Sequence, residues 1–379
     1  MVSWARCIST SKCTALMLKN GIVAGKKMRL YIRKSTFLLF FFASSAVLFY
    51  AFLGRYMLSG DIDFKFFADS LTYEKLYREA EFKTFSEMIS WDSNYFGPLV
   101  ILDVLGGDRV LVLFFNIMLT FISLWLVRVG GQYNWALFVF LLFLSPVTFS
   151  SLLSVNKEII SLLTISSLVA WLFRRHIGYL VLALVSSFFV RWQLSLFIIV
   201  VFLTFSSINP LHHQRALLLG LLLLSISVAY FFIGDQFVGV NSNADRGAAV
   251  DEGSGAYVFL NAAQRDGFYF LVFIPKALHA MYGLVFRIGN VFDLNDVYNN
   301  LIVTLHCLVA FVLFLIVFFR RRLKLSDDLV FIAIIYCSIF ALTPIYSPRY
   351  FYPVFVLSCI VLARRSGTAG MLKMQAKFD

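Results

Sequence analysis

Long uncharged stretches recur along this chain, and they constrain it more than any other feature. Apolar runs of roughly 15–22 residues fall near 35–54, 109–128, 134–153, 157–173, 177–190, 193–207, 215–233, 300–319, 328–344 and 350–363. Such runs bury poorly in a soluble core but match the hydrocarbon layer of a bilayer, which about 20 residues of helix cross. Of the 379 residues 60% are hydrophobic and 14% charged, too few polar groups to cover a water-soluble surface. The expected fold is therefore all-α, a polytopic transmembrane helix bundle of about 10 spans.

The net charge of +12 is placed for a membrane rather than for nucleic acid. Residues 1–34 hold eight Lys and Arg and no acid, directly before the first apolar run. Under the positive-inside rule this basic tail lies in the cytoplasm. Every second connection then falls on the same side, and each is basic: Arg128, Arg174-Arg175-His176, His212-His213-Gln214-Arg215, Arg320-Arg321-Arg322 and Arg364-Arg365. That pattern predicts a multi-pass protein of the cell inner (plasma) membrane with both termini cytoplasmic. One transmembrane domain, 35–365, lies between the tail 1–34 and a second tail, 366–379. No cleavable signal sequence is recognisable at the first run, which reads as an anchor. Cys7, Cys13, Cys307, Cys337 and Cys359 all lie in the tail or in apolar runs, a pattern that predicts no disulfide framework.

Two stretches test this topology. Residues 177–206 read either as one long span with Arg191 near its middle or as two short ones. The charge rule favours two, with Arg191 below the outer surface and facing a wet cavity, since an unpaired charge in lipid costs about 3 kcal/mol or more. Residues 268–288 read as a re-entrant or interfacial helix starting at Pro275, with Lys276, His279 and Arg287 along one face. The non-cytoplasmic side then carries two outer loops, 55–108 and 234–299, with surface or re-entrant helices. The first holds eight acids between Asp61 and Asp92. Within it, residues 68–81 read as a surface helix capped by Asp69 or Ser70.

Nucleotide and metal chemistry lack their signatures. The chain has no Gly-x4-Gly-Lys-Ser/Thr loop, no strand-anchored Gly-x-Gly-x-x-Gly, no Gly-x-Ser-x-Gly elbow and no His/Cys zinc spacing, so no metal and no cofactor is expected. What remains is a set of outer-face charges at span ends: Asp61, Asp63, Asp69, Lys157, Glu158, Arg191, Arg246, Arg265, Lys276 and Arg349. Arginines hold phosphate through charge-assisted forks, and a carboxylate beside them takes a proton from a hydroxyl. For any one of these residues the bland alternative is anchoring to lipid head groups. That alternative is weakest for Arg191, placed below the surface, and for Arg349, set between Pro348 and Pro353.

Asp69-Ser70-Leu71-Thr72-Tyr73 in the first outer loop and Gly97-Pro98 opening the next apolar stretch resemble the first outer loop of C-type membrane glycosyltransferases. These enzymes use polyprenyl-phosphate-linked sugars. Ser154-Val155-Asn156-Lys157-Glu158, Phe189-Val190-Arg191-Trp192 and Ser347-Pro348-Arg349-Tyr350 resemble the O-antigen and exopolysaccharide polymerases of that superfamily. The similarity is spread over residues 60–355 in short motifs. The resemblance implies transfer of a sugar or oligosaccharide from a polyprenyl-(pyro)phosphate carrier on the outer face, in surface polysaccharide assembly. Its partners would be the lipid-linked donor, membrane lipid and other polysaccharide-assembly proteins, with no nucleic acid. It implies a first-loop acid as general base, Asp69 by motif position, with Asp61 and Asp63 nearer the span end. The family's usual Asp-Glu pair is absent, since Ser70 follows Asp69, and the base stays open among the three. Arg191 and Arg349 would hold the donor phosphate, with Lys157, Arg246 and Lys276 as further candidates. The competing class is a transporter or lipid-linked-sugar flippase without catalysis, which calls for internal repeats and midplane charges. No repeat is visible, and the candidate charges favour one side. A non-catalytic scaffold for polysaccharide assembly is the third reading.

Overall fold

The computed structural model describes residues 34–54, 68–79, 87, 95–207, 209–211, 213–233, 255–293, 296–343 and 347–364. It is all-helical, and no strand occurs among the described residues. In chain order the α-helices are α1 (Lys34–Phe49), α2 (Ala68–Glu79), α3 (Phe96–Val104), α4 (Arg109–Gly130), α5 (Trp135–Phe143), α6 (Pro146–Leu153), α7 (Lys157–Arg174) and α8 (Ile177–Phe188). They continue as α9 (Trp192–Phe205), α10 (Arg215–Ile233), α11 (Gly255–Ala263), α12 (Tyr269–Tyr282), α13 (Thr304–Phe319), α14 (Asp328–Phe340) and α15 (Tyr352–Ala363).

The axis of the bundle is α7. All its residues from Lys157 to Leu172 are buried, and it packs against α4, α6, α8 and α15. Its Ser and Thr positions make this close packing possible, because small side chains let helices approach and return their hydroxyls to their own backbone. Ser161, Thr164 and Ser167 each donate to the carbonyl four residues earlier, at 2.8–3.0 Å. Around this core the outer faces are apolar. Phe40, Trp125 and Phe232 are 57–76% exposed, as a lipid-facing surface requires.

Each expected run forms helix, but helix length supports fewer crossings than ten. Arg109–Gly130, Arg215–Phe232, Ala256–Phe286 and Tyr298–Phe319 are long and apolar enough to cross a membrane. A fifth crossing arises if α5 and α6, bent by 76° at Ser145, count as one. Five shorter apolar helices among the described residues, α8 and α9 included, have 10–17 residues and reach only part of a roughly 30 Å hydrocarbon core. Among the described residues the structure is that of a membrane protein with four to five candidate spans.

Residues 177–206 are two helices, broken at Arg191, which has extended backbone as the N-cap of α9. Helix starts elsewhere differ from expectation. Asp69 lies in the first turn of α2 rather than capping it, because the helix begins at Ala68. Pro275 lies inside α12 instead of starting a helix. Helical structure already runs from Gly255, and Pro275 costs one backbone bond that a packed apolar helix tolerates. A π-helical segment, Gln264–Phe268, with Gly267 at φ +83°, joins α11 to α12. Tyr269 and Met281, near opposite ends of α12, meet adjacent residues of α14: the Tyr269 hydroxyl donates to the Ser338 carbonyl, and Cys337 donates to the Met281 sulfur. α12 therefore crosses α14 rather than running along it.

The basic connections gather at one end. Arg174 donates to the Val129 carbonyl at 2.7 Å, Arg175 to Phe205 and Arg322 to Val361, while Arg364 pairs with Asp327 and Arg215 with Asp328. Lys157, Arg191 and Arg349 stand at the other end of the same helices. Single cysteines introduced as Asp103→Cys and Arg321→Cys in sealed vesicles should accordingly be labelled from opposite faces. Labelling of both by one impermeant reagent from one face counts against this arrangement.

Candidate functional site

The end of α7 opposite the basic connections starts at Asn156, whose side chain accepts from the Lys157 amide at 2.8 Å. Asn116 of α4 pins the chain just before it, donating to the carbonyls of Ser151, Leu152 and Ser154 at 3.2, 3.2 and 2.8 Å. This fixes two consecutive charged side chains at a helix start buried in the bundle. Lys157 is 7% and Glu158 6% exposed. Buried charges persist only where other charges and dipoles compensate them, and three other elements bring that compensation.

The first is α2. Glu74 accepts a forked pair of bonds from Arg109 at the start of α4, at 2.6–3.1 Å, which docks α2 on the bundle. Asp69 and Tyr73, one turn apart, then face the start of α7. Tyr73 and Tyr95 meet edge to face at 5.8 Å, and the Lys157 ammonium lies 5.5 and 5.6 Å from their ring centres, a cation–π cage.

The second is the turn between α8 and α9, which carries Arg191. α3 crosses this turn at Gly97. A Cβ on residue 97 would lie 1.7 Å from the Phe189 carbonyl oxygen, so only glycine fits. Phe96 packs its ring on Phe188 and Phe189, both at 5.3 Å between centres. Phe188 and Phe189 also line a lateral apolar groove of about 340 Å³ with Leu184, Val185 and Ser195.

The third is the 3-10 turn Pro348–Phe351 ahead of α15. Arg349 pairs with Asp69 and lies 5.6 Å above the Tyr298 ring. Arg191 stacks 3.4 Å from the centre of the Tyr350 ring, and Arg349 is 5.9 Å from the same ring, so one tyrosine organises both guanidinium groups. The backbone there is held by the Tyr336 hydroxyl, which donates to the Tyr350 carbonyl at 2.6 Å.

Asp69, Glu158, Arg191 and Arg349 all act electrostatically on Lys157. The same four charges act on Tyr73. Burial is the main cause that pushes the Tyr73 hydroxyl well above the usual tyrosine range, with Asp69 and Glu158 adding and Arg349 and Arg191 opposing. Three basic side chains thus meet two acidic ones, a formal excess of one positive charge in a poorly solvated place. Among the described residues the Oε2 of Glu158 has no hydrogen-bond partner. Such a group can hold an anionic phosphate while a carboxylate accepts a proton.

The structure therefore brings together five of the expected residues, Asp69, Lys157, Glu158, Arg191 and Arg349. Lys276 is held elsewhere. It is fully buried, donates to Gln264 and lies 5.4 Å above the Tyr257 ring, against which His279 stacks. Arg265 falls in the π-helical segment. Asp61, Asp63 and Arg246 lie outside the described residues, as does the Arg287 side chain. Sequence reasoning missed the direct pairing of Asp69 with Arg349 and the aromatic supports Tyr95, Tyr298 and Tyr350. The only local signal for them was tyrosine beside charge, as in Arg349-Tyr350. Among the described residues no three His, Cys, Asp or Glu side chains are grouped to hold a metal ion.

Replacing Gly97 with Ala should force α3 and the Arg191 turn apart. A loss of about 2 kcal/mol or more is expected, the scale of overpacking a filled site, readable as a lowered thermal midpoint in detergent. A midpoint equal to that of the native protein contradicts the close approach.

No protein-family model, no curated protein and no solved structure matches this chain, so its reading rests on its own residues and geometry.

Proposed function

We propose that this protein is an integral-membrane glycosyltransferase or polysaccharide polymerase. It transfers a sugar or oligosaccharide from a polyprenyl-(pyro)phosphate carrier to an acceptor hydroxyl at the outer face, in surface polysaccharide assembly. The observation that carries the reading is the convergence of Arg349, Arg191 and Lys157 with Asp69 and Glu158 at one end of an apolar bundle. In this reading the acceptor oxygen attacks the anomeric carbon of the donor. A carboxylate takes the hydroxyl proton, and the bond from that carbon to the phosphate oxygen breaks. The carrier leaves as a phosphate anion, whose growing charge the guanidinium groups stabilise. The excess positive charge of the cluster suits that anion. The apolar groove at Phe188 and Phe189 lies beside the Arg191 turn, as a lipid-tailed donor needs.

The finer topology, ten crossings with both termini in the cytoplasm, belongs to the same proposal. It is supported by the gathering of Arg174, Arg175, Arg215, Arg322 and Arg364 at the end away from the cluster.

Cells that depend on this chain and carry Asp69→Asn or Arg191→Ala should lose product. Removal of a positioned acid–base group typically costs on the order of 10²-fold or more in rate. Glycan length and amount on gels, at matched protein level, measure the effect; native product from both variants would sink the proposal.

A further inference from the structure

The basic end holds a cleft of about 630 Å³ that the proposed transfer reaction does not use. It opens where α7 and α9 end and α10 and α14 begin. Its walls include Arg175, Phe205, His213, Arg215, Asp328 and Phe331. Two guanidinium groups share the Phe205 ring, Arg175 at 6.0 Å and Arg215 at 5.5 Å from its centre. Each also has a second aromatic support, Trp171 at 5.1 Å for Arg175 and Phe331 at 5.2 Å for Arg215. Ring faces hold the flat guanidinium planes and leave their N–H edges available.

Those edges are only partly used. Arg175 donates to the Phe205 carbonyl at 3.4 Å, and Arg215 donates to the Leu325 carbonyl at 3.0 Å and to Asp328. A guanidinium carries five N–H donors. Two arginines against the one carboxylate of Asp328 leave a positive excess in the cleft. Arg175 ends α7 at φ +54°, the left-handed conformation in which many helices close.

We infer that this cleft binds the phosphate group of an anionic membrane lipid, with Arg175 and Arg215 as the phosphate-holding pair and Asp328 as the internal carboxylate it displaces from Arg215. Basic pockets between membrane helices suit such head groups. The tail of the lipid would lie along the exposed apolar faces of the bundle. The site is at the far end of α7 from Lys157, so it stands whether or not the outer cluster transfers sugars.

The test uses the full chain in neutral detergent, titrated separately with phosphatidylglycerol, phosphatidylcholine and inorganic phosphate. Native mass spectrometry reads bound lipid, and thermal unfolding reads stabilisation. Phosphatidylglycerol should be retained over phosphatidylcholine, and Arg175→Gln should weaken it by roughly fivefold, the scale of one basic residue near a head group. Asp328→Asn should strengthen binding, a change of sign that damage to the fold cannot imitate. Stabilisation by inorganic phosphate as strong as that by phosphatidylglycerol would assign the site to a free anion and overturn the lipid assignment. Equal retention of the two lipids by the native protein, or native preference in both variants, overturns the site itself.

Discussion

The ion pair between Asp69 and Arg349 closes the end of the bundle opposite the basic connections, and the surrounding structure is arranged to make that pair possible. It joins a short helix from the first long loop to the turn before the last helix. A charge held near lipid must find its counter-charge or water. Here the counter-charge comes from a distant part of the chain, so the pair forms only after several elements have docked. Glu74 on Arg109 sets α2, Asn116 sets the start of α7, and Gly97 lets α3 lie on the Arg191 turn.

Tyrosines carry much of the remaining organisation. Tyr350 lies under both Arg191 and Arg349, Tyr298 under Arg349, and Tyr73 with Tyr95 around Lys157. An aromatic face compensates a cation without neutralising it. The cluster can therefore keep net positive charge while buried, which pairing each cation with a carboxylate would not allow. The opposite end uses the same device at Phe205, shared by Arg175 and Arg215.

The bundle also shows why short helices are useful here. α8 and α9, and α14 with α15, meet in turns that hold Arg191 and Arg349, and each turn points a guanidinium inward rather than into lipid. An uninterrupted span through Arg191 would have left its charge on a helix wall. The 76° bend between α5 and α6 works similarly, placing Ser145 against His306 at 2.7 Å and the end of α6 beside the start of α7.

Composition and pattern alone determined that the chain is helical with membrane-suited apolar runs, that its basic connections gather at one end of the helices, and that the 177–206 stretch breaks at Arg191. These follow from local physics, namely run length, hydropathy and charge near span ends, which act without knowledge of neighbours. Pattern also singled out Asp69, Lys157, Glu158, Arg191 and Arg349, since a charge at the edge of an apolar run is conspicuous. It misplaced the start of the 255–282 helical stretch, because Pro275 disfavours helix locally while packing against α14 maintains it. It grouped Lys276 with the outer cations, although Gln264 holds that ammonium separately. Only the tertiary structure decided which charges meet, because pairing depends on where helices cross, and crossing is set by contacts such as Gly97 against Phe189 that no run length or charge count encodes.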